Sequence, residues 1–249
     1  MKSLESPPQP KRARLTRAFA IVEEMMNKKR PWLMTFCFLV VCAASAQAQT
    51  SAAPVNKWEE AIRKFEEADR QSPPAKGGVL FIGSSSIQMW KTLAEDFPQT
   101  KVINRGFGGS EIADSTYYVD RIVAPYQPRM VVFYAGDNDL ASGKTPQKVF
   151  EDYKEFVNRV KARLPKARIA FISIKPSLAR ISLIEKMRAA NELIRHYAAN
   201  DKHLAYIDVF TLMLGPDGKP RPELFGPDGL HMNKQGYSLW QGVIAPYLR

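Results

Sequence analysis

Apolar residues follow two alternating patterns along this chain, short continuous runs and longer stretches with helical spacing. The short runs predict five strands, at residues 79–82, 101–104, 129–135, 168–174 and 203–210. The stretches in which apolar residues recur three or four positions apart predict helices, at residues 111–123, 146–164, 183–199 and 234–248. A further helix is expected to begin near Ile87, directly after the first strand. Strands and helices therefore alternate from residue 79 to the end.

This alternation predicts the arrangement of the sheet. Parallel strands need crossover connections, and right-handed crossovers place helices on both faces of a sheet. We predict an α/β fold with three α/β/α layers around a flavodoxin-like parallel sheet of strand order 2-1-3-4-5. Ahead of the first strand, Asn56 is expected to cap a helix with Trp58, Ile62 and Phe65 on one face.

The N-terminal part of the chain has the features of a secretory signal. Three basic residues at 28–30 precede an apolar core at 32–44, and an A-x-A sequence at 46–48 predicts cleavage after Ala48. An uncleaved anchor is the alternative, although the apolar run is short for a membrane span. We expect translation in the native host to start at Met25 or Met26. The predicted parts are an N-terminal extension at 1–25, a signal peptide at 26–48, a linker with a helix at 49–78, and one domain at 79–249.

The cysteines and the charge exclude several classes of function. Both cysteines, Cys37 and Cys42, fall within the predicted signal, so the mature domain is expected to have no disulfide and no cysteine metal site. The formal net charge is +11, but residues 1–48 hold eight Lys/Arg and only three Asp/Glu. Basic and acidic residues alternate along 57–67, which is typical of a solvated helix face. We therefore expect a secreted or periplasmic protein with no nucleic-acid partner and no stable membrane insertion after cleavage.

Four polar stretches lie where ligands bind in sheets of this kind. Three follow predicted strands and one precedes the last helix, at residues 83–86, 104–110, 136–139 and 228–231. Ligands of open α/β sheets bind at the carboxyl ends of the strands, so these stretches are expected to meet there. The serines of the first stretch could instead serve to cap the following helix.

His231 is the best candidate for a catalytic base. His196 is predicted in a charged helix, at the surface or half-buried, and His203 is expected to be solvated at the start of the last strand. Asp228 precedes His231 by three residues in a loop rich in Gly and Pro. A carboxylate at this spacing can hold Nδ1–H and leave Nε2 free to take a proton from a serine. A capping aspartate beside an ordinary loop histidine is the alternative.

A serine nucleophile also needs donors for the oxyanion that forms on the substrate. Asn138 can supply a side-chain N–H, and Gly109 and Ser85 can supply backbone N–H groups. Each of these residues, taken alone, also suits a turn.

Together the four stretches resemble the blocks of the SGNH (GDSL-type) hydrolases, a family of esterases and acyl hydrolases, from about residue 79 to 248. The matching sequences are GSS at 83–85, GFGGS at 106–110, GDND at 136–139 and DGLH at 228–231. The resemblance implies that Ser85 is the nucleophile, Asp228 and His231 complete the catalytic set, and Ser85, Gly109 and Asn138 form the oxyanion hole. It implies no metal and no organic cofactor.

One position departs from the family pattern. The family's usual Asp before the serine is Ser84 here, so Ser84 and Ser86 are alternative nucleophiles. The G-x-S-x-G elbow of α/β-hydrolases is absent because residue 87 is isoleucine.

The expected function is hydrolysis of short, acetyl-like esters, on a small molecule, a carbohydrate or a cell-envelope glycan. No long apolar insertion suggests a lid, and four charged residues at the predicted rim are available to hydrogen-bond a hydroxylated substrate: Arg105, Asp137, Asp139 and Lys175. A lysophospholipase or thioesterase is the enzymatic alternative. A non-catalytic glycan-binding or envelope-binding protein on the same scaffold is the other, since fold does not fix function.

Overall fold

The structure, a computed structural model, describes residues 57–249. The predicted N-terminal extension at 1–25, the signal peptide at 26–48 and the capping residue Asn56 lie outside the described residues.

Five parallel strands form the sheet, and their order is β2-β1-β3-β4-β5, as predicted. The strands are β1 Val79–Gly83, β2 Val102–Gly106, β3 Met130–Tyr134, β4 Arg168–Ile172 and β5 Leu204–Ile207. All residues of β1 and β3 are buried, as expected for central strands covered on both faces. In the register of the sheet, Gly83 pairs with both Gly106 and Tyr134, so β1, β2 and β3 end at one level.

Helices connect the strands. Within the described part of the chain the α-helices are α1 Glu59–Gln71, α2 Ser85–Gln88, α3 Leu93–Asp96, α4 Ile112–Tyr117, α5 Val119–Ile122, α6 Asp137–Ala141, α7 Pro146–Arg163, α8 Ile184–Ala199 and α9 Lys234–Ile244. Short 3-10 turns occupy Ala124–Tyr126, Ile181–Leu183, Thr211–Met213, Pro222–Leu224 and Ala245–Leu248. Among residues 57–249 no helix combines the length and the apolar character that a bilayer crossing would need.

The sheet separates two hydrophobic cores. Leu80 and Ile82 of β1 point to the core formed with α1, α4, α5, α7 and α8, whereas Val79 and Phe81 point to the core formed with α2, α3 and α9. This division follows from the period of two along a strand, and Trp240 of α9 is fully buried in the second core. The predicted three-layer α/β/α architecture is confirmed.

Several helix boundaries differ from the predictions. The first helix begins at Glu59, with Trp58 at the N-cap position, because Glu59 and Glu60 in the first turn suit the positive end of the helix. The predicted helix at 111–123 is divided into α4 and α5 at Tyr118, which the apolar spacing alone did not indicate. The short helices α3 and α6 were missed, since a single turn is too short to show a helical period.

Candidate active site

Ser85 stands at the junction between β1 and α2. The strand ends at Gly83, Ser84 takes an extended conformation at the N-cap, and α2 begins at Ser85 rather than near Ile87 as predicted. The backbone N–H of Ser84 donates to the carbonyl of Tyr134 at 3.0 Å, which ties the start of the helix to β3. As the first residue of the helix, Ser85 has an N–H with no acceptor inside the helix.

The hydroxyl of Ser85 meets the imidazole of His231. Their Oγ and Nε2 atoms lie 3.0 Å apart although 146 positions separate the residues. On the other side of the ring, Nδ1 lies 2.6 Å from Oδ2 of Asp228. A carboxylate at this distance holds the proton on Nδ1, so Nε2 is left as an acceptor for the Ser85 hydroxyl. The structure thus brings together the three side chains of the predicted catalytic set.

Asp228 is fixed by its own loop as well as by the imidazole. Its Oδ1 accepts hydrogen bonds from the backbone N–H groups of Leu230 and His231, each at 2.9 Å. The hydrogen bond from the imidazole, followed by these two backbone bonds, holds the pKa of Asp228 well below its usual range. The carboxylate is therefore ionised at neutral pH and available to stabilise an imidazolium.

The loop that carries Asp228 and His231 is closed by backbone hydrogen bonds. The N–H of Gly226 donates to the carbonyl of His231 at 2.8 Å, and Asn233 caps α9 through its side-chain oxygen. The side-chain N–H₂ of Asn233 also reaches back to the carbonyls of Glu223 and Phe225, at 2.9 and 3.0 Å. These bonds fix His231 relative to the start of α9.

Hydrogen bonds also join the first three polar stretches to one another. The N–H of Phe107 donates to the carbonyl of Gly83 at 2.9 Å, and Asn138 Nδ2 donates to the carbonyl of Ser110 at 3.0 Å. Asn138 belongs to α6, which starts directly after β3, and Gly109 lies in the turn between β2 and α4. Gly109 and Asn138, the other two predicted oxyanion donors, therefore lie in stretches that are hydrogen-bonded to the stretch of Ser85.

Gly109 has a backbone that suits glycine. Its φ is +71°, and a Cβ at this position would lie 3.3 Å from the Trp58 ring. Any other residue would be strained here and would push against the tryptophan. The turn that presents the Gly109 N–H is thus dependent on glycine.

The two alternative serines differ sharply from Ser85. Ser84 is 0% exposed and Ser86 is 2% exposed, whereas Ser85 is half-buried. The Ser84 hydroxyl is buried without a hydrogen-bond partner among the described residues, and it does not cap α2. The geometry therefore favours Ser85 over either neighbour as the reactive hydroxyl.

The four charged residues expected to bind substrate are buried instead and pair with other residues of the fold. They are Arg105, Asp137, Asp139 and Lys175. Arg105 pairs with Asp69 of α1 and donates to the hydroxyl of Tyr126, in the 3-10 turn that follows α5. Asp139 accepts from the Ile112 N–H at 3.2 Å and from Lys144 at 2.9 Å, and burial raises its pKa to about 6. That expectation about substrate contacts was wrong, because residue type and rim position do not reveal pairing with distant residues.

The other two histidines lie away from this edge, and among the described residues neither belongs to a group of side chains that could hold a metal ion. His196 is exposed on α8 and lies 2.6 Å from Glu192, and His203 precedes β5. Among residues 57–249 no group of three or more His, Cys, Asp or Glu side chains could hold a metal ion. Arg180, which donates to Asp137 and Asn138, was not identified from the sequence, because it lies in none of the four polar stretches.

Comparisons with known proteins support the family resemblance noted in the sequence. A family model described as the GDSL-like Lipase/Acylhydrolase family matches residues 83–239. No curated protein matches the chain in sequence.

Solved structures of the same fold are similar over most of the described chain. A candidate platelet activating factor from Streptococcus pneumonia is 20% identical with a TM-score of 0.68, over 76% of this chain and 92% of that one. A candidate acylhydrolase from Bacteroides fragilis is 21% identical with a TM-score of 0.66, over 75% and 94%. A GDSL-like lipase from Bacteroides thetaiotaomicron is 20% identical with a TM-score of 0.63, over 75% and 96%. At these identities the likeness is one of fold.

Proposed function

The chain belongs to the GDSL-like lipase and acylhydrolase family, and on that premise we propose that it is a serine ester hydrolase with Ser85, His231 and Asp228 as its catalytic residues. The observation that carries the proposal is the 3.0 Å distance between Ser85 Oγ and His231 Nε2. A serine hydroxyl becomes a useful nucleophile when a base lies within hydrogen-bond reach.

In the proposed reaction, Ser85 Oγ attacks the carbonyl carbon of the ester while His231 Nε2 takes the hydroxyl proton. The negative charge of Asp228 stabilises the imidazolium that results. His231 then gives the proton to the leaving alcohol oxygen, the bond between the carbonyl carbon and that oxygen breaks, and an acyl-Ser85 intermediate remains. Water attacks the intermediate with His231 as base, which releases the carboxylic acid and returns the proton to Ser85.

The oxyanion of each tetrahedral intermediate would be held by three donors. We assign these to the backbone N–H groups of Ser85 and Gly109 and to Asn138 Nδ2. Support comes from the N-terminal position of Ser85 in α2, the positive φ of Gly109, and the hydrogen bond from Asn138 to the Ser110 carbonyl. Donors fixed before the reaction stabilise the transition state without reorganisation.

For the substrate we propose a short acyl group, such as acetyl, on a carbohydrate, a cell-envelope glycan or a small alcohol. The large apolar side chains that are exposed among the described residues are few: Met89, Tyr117, Leu178, Ile181 and Leu212. Each methylene of an acyl chain contributes about 0.8 kcal/mol only where apolar surface covers it. Such scattered surface favours a short chain.

A longer acyl group is the second candidate, and one observation favours it. Leu178 is 37% exposed and Ile181 is 43% exposed, in the segment that follows β4 and contacts the His231 loop at Gly229. A lysophospholipase or thioesterase could use these side chains to cover the first methylenes of a chain.

The activity is tested with p-nitrophenyl esters of increasing chain length and a fluorophosphonate probe. Ser85→Ala is expected to lower kcat by about 10⁴-fold or more and to abolish labelling. Ser238→Ala, which alters an exposed serine of α9, is the matched control and should retain both. An ester hydrolysis rate that survives in Ser85→Ala would refute the assignment, and a wild-type protein that neither labels nor turns over would identify a binding protein.

We also propose that the protein is secreted. The support is the predicted signal peptide at 26–48. Mass spectrometry of the protein from its native host should find a mature N-terminus at Gln49. Recovery of the cytosolic protein with residues 26–48 still attached would contradict this.

A further inference from the structure

Arg180 donates hydrogen bonds both to Asn138, one of the predicted oxyanion donors, and to the preceding residue, Asp137. Arg180 Nη2 donates to Asn138 Oδ1 at 3.0 Å, and Nη1 donates to Asp137 Oδ2 at 3.0 Å. The side chain of Arg180 is 18% exposed and that of Asp137 is 5% exposed, so water competes little with either bond. A planar guanidinium can make such a forked contact, whereas a lysine ammonium cannot match both acceptors in this geometry.

The contact determines which end of the Asn138 amide faces which neighbour. Nδ2 donates one hydrogen to the Ser110 carbonyl at 3.0 Å, and Oδ1 accepts from Arg180. If the amide were rotated by half a turn, its N–H₂ would face the guanidinium, donor against donor, and its oxygen would face the Ser110 carbonyl. Both hydrogen bonds would be lost, at a cost of about 1–3 kcal/mol for each group left unsatisfied.

The segment that carries Arg180 also contacts the loop of the catalytic base. The N–H of Ala179 donates to the carbonyl of Gly229 at 3.0 Å. Gly229 has a φ of +61°, and a Cβ there would lie 3.1 Å from Leu178 Cβ. The same short segment is therefore hydrogen-bonded to α6 through Arg180 and to the His231 loop through Ala179.

We propose that Arg180 is a positioning residue for the oxyanion hole. By holding Asn138 Oδ1, it turns the second Nδ2 hydrogen toward the carbonyl oxygen of the substrate and polarises that N–H. This inference rests on the proposed ester hydrolase function. The carboxylate of Asp137 neutralises the charge of Arg180. Arg180 therefore acts through Asn138 and does not itself bind substrate.

The effect is measured as a change in kcat with little change in KM. Arg180→Met is expected to lower kcat on p-nitrophenyl acetate by about 10- to 100-fold, less than the 10²–10³-fold typical for loss of an oxyanion donor. KM should change by no more than about twofold, because the interaction strengthens in the transition state. Arg121→Met is the matched control, since Arg121 is also partly buried and paired, with Glu59 and Glu66 of α1, and it should leave kcat unchanged.

A double-mutant cycle distinguishes positioning from general structural support. In the Asn138→Ala background, Arg180→Met should lower kcat by less than about twofold, because the group through which it acts is gone. An equal loss in both backgrounds would overturn the proposal. Arg180→Met leaves the buried carboxylate of Asp137 without its partner, and the variant could fold poorly for that reason. In that case the double variant Asp137→Asn/Arg180→Met, which removes both charges, is measured in the same cycle. Failure of the proposed ester hydrolase function would look different. In that case the wild-type protein would show no ester turnover, or a turnover that Ser85→Ala does not reduce.

Discussion

Lys175 Nζ donates a hydrogen bond to the carbonyl oxygen of Leu230 at 2.9 Å, so a side chain that is 1% exposed holds the loop of the proposed catalytic base. The two residues are 55 positions apart, and Leu230 immediately precedes His231. Burial lowers the pKa of Lys175, while the carboxylate of Asp137, 3.9 Å away, opposes that shift. The position of His231 thus depends on a side chain from the end of a distant strand.

Lys175→Met is expected to reduce activity without unfolding the protein. Methionine fills similar space but cannot donate to Leu230, and a hydrogen bond from a charged group contributes about 1.5–3 kcal/mol. If most of that fixes the His231 loop, kcat should fall by about 10-fold or more. The thermal midpoint should change little, because removal of a buried charge offsets the lost bond.

The measurement is kcat on p-nitrophenyl acetate together with a thermal melt. Lys166→Met, at an exposed position before β4, is the matched control for loss of a lysine charge. An unchanged kcat in Lys175→Met would mean that the loop is fixed by its own backbone bonds.

Asp228→Asn tests the tautomer of His231. An asparagine can keep the two backbone hydrogen bonds through its oxygen, but its N–H₂ would face the imidazole Nδ1. The ring would then carry its proton on Nε2 and donate to Ser85, and it could not accept the hydroxyl proton. We expect kcat to fall by about 10²–10⁴-fold at neutral pH, with the melting temperature nearly unchanged.

The same variant carries a spectroscopic check. Nitrogen NMR of the His231 ring should find the proton on Nδ1 in the wild type and on Nε2 in Asp228→Asn. Asp217→Asn, which alters an exposed loop aspartate, should change neither the tautomer nor kcat. An Nδ1 proton retained in Asp228→Asn would remove the physical basis of the expected loss.

The pH dependence of stability should reveal the buried carboxyl of Asp139. Burial raises its pKa from 3.8 to about 6 in the folded protein, with Lys144 opposing the rise. A group whose folded pKa is raised stabilises the fold most below its unfolded pKa, and the contribution is lost as the pH rises through the folded value. The free energy of unfolding of the wild type, relative to Asp139→Asn, should therefore fall between about pH 4 and pH 6, by at most about 3 kcal/mol.

Urea unfolding at half-unit pH steps measures this difference. Glu155→Gln removes an exposed carboxylate of α7 and should run parallel to the wild type over the same range. A wild-type stability that rises from pH 4 to pH 6 relative to Asp139→Asn would mean that Lys144 dominates burial and that the pKa is lowered.

The sequence predicted the sheet order and the meeting of His231 with Ser85, but not the residues that support them. Alternation of strands and helices indicates a parallel sheet, of which the flavodoxin-like order is one of the two common forms, and the D-x-x-H spacing constrains a local turn. Arg180 and Lys175, by contrast, act on partners 42 to 55 positions away, and no local period records such a pairing. The same limit explains Arg105, whose partner Asp69 lies 36 positions earlier on a helix that packs over the sheet.

Gly83 is the glycine at which substitution should be most damaging. Its φ is +136°, and a Cβ would lie 1.8 Å from the carbonyl oxygen of Tyr134, a backbone atom of the neighbouring strand that cannot move without breaking the sheet. Gly83→Ala therefore combines backbone strain of about 1–3 kcal/mol with a clash, and we expect a total loss above about 4 kcal/mol or an insoluble protein. Gly218→Ala is the control, because Gly218 has a φ of +73° with nothing within 4 Å of the added Cβ, and it should cost only about 1 kcal/mol. Urea unfolding of both variants measures the difference. Equal losses would mean that β1 and β3 can separate at their carboxyl ends, and the fixed position of Ser85 between them would then need another cause.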